Sequence, residues 1–69
     1  MDHDRLLKFI QESGVKTKSE VFEKFQTENP EIVSMSIDYL ASKNLIRRVK
    51  FDPHGGTSEL YYIPQGSNY

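Results

Sequence analysis

Ile37-Asp38-Tyr39-Leu40-Ala41-Ser42-Lys43-Asn44-Leu45-Ile46-Arg47-Arg48-Val49 contains the change of periodicity on which the fold turns. Up to Ala41 the apolar residues keep helical spacing, with Val33, Ile37, Leu40 and Ala41 in one stripe flanked by Ile32 and Tyr39. From Leu45 to Phe51 the content becomes strand-like, with Val49 and Phe51 on one side and Arg48 and Lys50 on the other. Asn44 between the two is the expected left-handed terminator. The stretch therefore reads as a helix that delivers the chain into a half-buried strand, with Val49 inward and the two cations outward.

Upstream, Asn29-Pro30 is a strong start signal, since Asn caps well and Pro at the first helical position gives up only an amide that had no partner. A third helix is expected from Pro30 to about Lys43. Thr17-Lys18-Ser19-Glu20 reads as a capping box that opens a second helix carrying Val21, Phe22 and Phe25. Only about four residues separate the second and third helices. The first helix, Asp4 to Glu12, has a broad apolar face of Leu6, Leu7, Phe9 and Ile10, is capped by Asp2 or Asp4, and ends at Ser13-Gly14. Val15-Lys16 reads as a short extended link. Downstream, Asp52 to Thr57 is dense in turn residues and Glu59 to Ile63 is a second strand, so the two strands read as a β-hairpin. The expected unit is one α+β domain over residues 4–64 with a polar tail at 65–69. Its expected core is Leu6, Ile10, Val21, Phe22, Phe25, Val33, Ile37, Leu40 and Val49.

The 69-residue length leaves room for one small core, and nine Lys+Arg against ten Asp+Glu give a formal charge of -1. Attraction to a polyanion must then come from the distribution of charge rather than its sum. With no cysteine there is no disulfide framework or thiolate site, and two isolated histidines supply no metal centre, so no cofactor is expected. No apolar run approaches the roughly 18 residues a membrane helix needs, and Met1-Asp2-His3-Asp4 is unlike a signal peptide. The expectation is no membrane insertion and a cytoplasmic location, or a nuclear one in a eukaryote.

Three helices followed by a hairpin, with a tight connection between the second and third helices, resembles the winged helix-turn-helix superfamily. The resemblance covers residues 4 to 64 and is most specific over Ile37 to Val49, where the superfamily has a Leu, a Gly or Asn, an aliphatic pair and then basic residues. It implies a C-terminal two-stranded wing. Its function is left open, since such domains read DNA, serve in transcription and ubiquitin-ligase machinery, or bind proteins. The Z-alpha domains carry an Asn and a Tyr one turn apart on the third helix, where this chain has Ser34 and Asp38. Small ferrous-iron transport accessory proteins of the FeoC type are similar in length, but the cysteine cluster many of them carry is missing here, which excludes an iron-sulfur role.

The outward face of the third helix should be Glu31, Ser34, Met35, Asp38 and Ser42. Its carboxylates repel phosphate and can accept only from the cytosine amino group, so this face reads either as solvated polar surface or as a docking face. Ser34 and Ser42 are small enough for close approach, and an exposed Met35 suits a protein partner about as well as a thymine methyl. The basic residues lie just beyond: Lys43, Arg47, Arg48 and Lys50, with His54 at the hairpin tip. They read either as a grip on a phosphate backbone or as edge charges that discourage strand-to-strand aggregation. No nucleophile-base pair or phosphate-cradling motif is present, and no enzyme is expected. Two functions follow, and the resemblance puts the first of them, DNA binding, ahead. One is a small regulator, monomer or homodimer, binding double-stranded DNA through Ser34, Met35, Ser42, Lys43, Arg47, Arg48, Lys50 and His54. The other is an interaction module with a protein partner at the third helix.

Overall fold

The computed structural model describes residues 2–56 and 58–64; the tail read at 65–69 lies outside them. The elements run α1 (His3–Gln11), β1 (Val15–Thr17), α2 (Lys18–Lys24), α3 (Pro30–Ser42), β2 (Arg47–Phe51) and β3 (Ser58–Tyr62), with a tight turn at Pro53–Gly55 between the last two strands. The molecule is α+β, with three helices and a three-stranded antiparallel sheet of order β1-β3-β2.

Local capping sets the helix starts. Asp2 accepts from the Asp4 amide at 2.9 Å, and Thr17 and Glu20 exchange both bonds of the capping box. The amide of Thr17 donating to Glu20 is the chief reason that carboxyl is held below its usual pKa. Asn29 accepts from the Glu31 amide at 2.8 Å with Pro30 at the first helical position. Stops follow the same logic, Gly14 and Asn44 taking positive φ of 81° and 60°. Asn29→Ala should cost about 1 kcal/mol in denaturant unfolding. A change below about 0.3 kcal/mol would mean that the side chain is not the cap that holds α3.

Leu6, Ile10, Val21, Phe25, Val33, Ile37, Leu40, Ile46 and Tyr61 form the buried core. Two of the expected core residues are not enclosed: Phe22, only partly buried, packs against the core from its edge, and Val49, 41% exposed, lies outside it. The link at Val15-Lys16 is also more than a link. As β1 it pairs with β3, Lys16 opposite Tyr61, so the expected two-stranded sheet has three strands.

Val49 is displaced by the phase of the sheet. Arg48 lies opposite Tyr61 and Lys50 opposite Glu59, and residues directly opposite in a sheet project from the same face. Tyr61 is buried against the helices, so Arg48 and Lys50 lie on the helix-facing side and Val49 and Phe51 on the outer side. This reverses the orientation read from the sequence. All five β2 residues are nevertheless exposed, because α1 and α2 pack on β1 and β3 and leave β2 as an uncovered edge.

Candidate interaction surfaces

The side of α3 turned from the core presents two adjoining strips. Ile32, Met35 and Tyr39 recur at i, i+3 and i+7 and are 41%, 67% and 44% exposed. Beside them run Glu31, Asp38 and Ser42, all exposed, with Ser34 at the flank. The Ser42 hydroxyl donates back to the Tyr39 carbonyl at 2.7 Å, which occupies its proton within the helix.

Tyr39 is held rather than loose. The His3 ring stacks on it, centroids 4.3 Å apart and planes 16° off parallel, and Lys43 Nζ lies 5.7 Å from the ring centre. His3 Nδ1 is also 3.0 Å from the hydroxyl of Ser36, a buried polar residue of α3. The start of α1 is thereby tied to the middle of α3, and a flat aromatic edge borders Met35. Sequence alone does not single out these residues. His3 reads as isolated because its partners are more than 30 positions away, and Tyr39 and Ile32 read only as flanks of the buried stripe. The spacing of Ile32, Met35 and Tyr39 is the signal that marks a second apolar strip.

All the basic residues expected in a phosphate grip are exposed, but they are not one uniform patch. Arg48 Nη1 donates to Asp38 Oδ1 at 2.7 Å and bridges β2 to α3. The pair neutralises one acid of α3 and one cation of β2, and between exposed groups it adds only about 0–1 kcal/mol. Arg47 projects from the outer face of the sheet and Lys50 from the helix-facing side, across from Glu59. Lys43 sits at the end of α3, and His54 lies in the β2–β3 connection with a φ of 57°.

An open groove of about 630 Å³ lies elsewhere, lined by Phe9, Lys16, Glu20, Glu23, Lys24 and Gln26. Lys16 and Lys24 cover the Phe9 ring from 4.5 and 5.8 Å, and Glu20 is committed to its cap. Among the described residues no group of three or more His, Cys, Asp or Glu could hold a metal ion, and no helix is long and apolar enough to cross a membrane.

Among known proteins, the chain matches no family model, no curated protein and no solved structure.

Proposed function

We propose that the chain is a winged-helix domain acting as a protein-interaction module, with an amphipathic partner helix docking on the outward face of α3. Three helices followed by two antiparallel strands support the winged-helix reading. The observation that carries the docking reading is the exposed strip Ile32, Met35 and Tyr39, bordered by Glu31. Methionine adapts to a partner's contours, the stacked tyrosine offers area at little cost in entropy, and the acidic border favours a partner with basic residues beside its apolar stripe. A base-reading helix favours Arg, Lys, Asn or Gln, none of which lies on this face, and the cation that does reach it, Arg48, is paired with Asp38.

The test is a synthetic amphipathic helix of Leu and Lys, titrated into the 15N-labelled protein. Saturable shifts should centre on Ile32, Met35 and Tyr39, disappear in Met35→Glu, and be absent with a Leu/Glu peptide. Shifts that ignore Met35→Glu would defeat this reading.

A second reading, double-stranded DNA gripped by the strand β2, rests on the exposure of Lys43, Arg47 and Lys50. It requires backbone contacts in which Arg48 either leaves Asp38 or takes no part. Replacing Arg47 and Lys50 with Ala should then weaken binding to all duplexes alike and flatten the salt slope by roughly 0.9 for each phosphate no longer neutralised.

A further inference from the structure

The pairing of the sheet fixes which backbone groups face out at its β2 edge. The Ile63 amide donates to the Gly14 carbonyl at 2.9 Å, and the β1–β3 register continues with Val15 opposite Tyr62 and Lys16 opposite Tyr61. In an antiparallel ladder bonded and non-bonded pairs alternate, so after Gly14–Ile63 the next bonded pair is Lys16–Tyr61. Tyr61 therefore spends its backbone N–H and C=O on β1, while Leu60 and Tyr62 turn theirs toward β2. Across β2–β3 the bonded pairs are then Arg47–Tyr62 and Val49–Leu60. By the same alternation Arg48 and Lys50 point their N–H and C=O away from β3, to the open edge.

Every residue of β2 is exposed, so this edge is free of cover among the described residues. Its chemistry disfavours a second copy as the occupant. An antiparallel pairing of two β2 edges centred within residues 48–50 sets Arg48 or Lys50 of one copy directly opposite Arg48 or Lys50 of the other, and like charges so placed destabilise a pair. A foreign strand meets the opposite situation. The position facing Lys50 favours a carboxylate, while Arg48 is already paired with Asp38. The positions flanking that carboxylate lie beside Val49, 41% exposed, and Phe51, 37% exposed, and favour apolar side chains.

We propose that the open edge of β2 receives an extended segment of a partner protein in which an acidic residue, set opposite Lys50, is flanked by apolar ones, added to the sheet as a fourth strand through the backbone of Arg48 and Lys50. This site is separate from the α3 face and does not depend on it. Four main-chain bonds become available, two from each residue, and side-chain charge supplies the register. Glu59 is the acid opposite Lys50 across the ladder, but its Oε1 accepts from the Tyr61 hydroxyl at 2.7 Å, and among the described residues no ion pair forms between Glu59 and Lys50.

The probe is a capped peptide of alternating Glu and Val, with two controls: the same peptide N-methylated on the bonding side, and its Lys/Val counterpart. The readout is amide hydrogen exchange. Saturating Glu/Val peptide should slow exchange at the Arg48 and Lys50 amides by at least about tenfold, the level expected when an exposed donor enters a ladder, while both controls leave them unchanged. Lys50→Ala should bind several-fold more weakly. Lys50→Pro, which removes a donor that bonds nothing within the sheet, should fold and lose the peptide altogether. Should the proline variant fail to fold, the N-methylated peptide still decides. Equal binding of the methylated and unmethylated peptides, or unchanged exchange at both amides, would overturn the proposal in favour of simple charge attraction. Protection of these amides that grows with protein concentration alone would overturn it in favour of a second copy.

Discussion

Leu40→Ala is expected to leave the domain largely unfolded at 25 °C. Leu40 is fully buried on α3, in the same core as Leu6, Ile10 and Tyr61. Truncating such a leucine removes its transfer energy and leaves a cavity that the surroundings only partly close, together about 2–5 kcal/mol. A core of this size rarely supplies more than about 3–5 kcal/mol in total, so little remains. Phe22→Ala should be milder, because its ring is only partly buried, with Lys18 Nζ 5.7 Å from its centre. Thermal unfolding followed by circular dichroism compares the two. Cooperative melting of Leu40→Ala near the parent temperature would mean that α3 does not pack as described.

Tyr61→Ala should be at least as damaging. Tyr61 is the largest fully buried side chain, on the central strand, and removing an aromatic ring from a core costs about 3–5 kcal/mol. Tyr61→Phe isolates the hydroxyl, which donates to Glu59 at 2.7 Å, and should cost about 1 kcal/mol. The hydroxyl also makes stability depend on alkaline pH. Burial, and then the bond to the Glu59 carboxylate, push its pKa well above the ordinary tyrosine value of about 10. A group whose folded pKa is raised contributes its full stability below the unfolded pKa and loses it as pH rises through the folded one. Stability should therefore decline as pH climbs past about 10, and Tyr61→Phe should decline less. Absorbance near 295 nm during an alkaline titration should show one of the four tyrosines ionising only as the protein unfolds. Early, complete ionisation in the folded state would contradict the buried placement.

What was legible in the sequence was what is local. The capping box at Thr17 and Glu20, the Asn29-Pro30 start and the Asn44 stop each depend on residues within a few positions, and all three helices follow from such local signals. β1 was not legible as a strand because Val15-Lys16-Thr17 is short and finds its partner more than 40 positions later. The phase of β2 misleads for a different reason. Alternation reports the inner face of a strand only where one face is dry, and on an uncovered edge both faces are wet. There the inner positions hold Arg48 and Lys50, and Arg48 uses its place to reach Asp38. On α3 the core stripe is plain in the sequence, whereas the outer strip shows there only as exposed Met35 and the spacing of Ile32, Met35 and Tyr39. The part that Tyr39 plays in it depends on His3, a contact between the first turn of the fold and the middle of its third helix.

The most direct measurement is a titration of the 15N-labelled protein with an arbitrary DNA duplex at roughly 50 mM salt, where phosphate contacts are strong. If α3 is a protein-docking face and Arg48 is retained by Asp38, no saturable binding is expected, and the resonances of Ser34, Met35, Asp38 and Ser42 should stay in place. Binding that moves those resonances, falls steeply with added salt and weakens when Arg47 and Lys50 are replaced by Ala would contradict the protein-docking assignment and establish the strand-gripped duplex in its place.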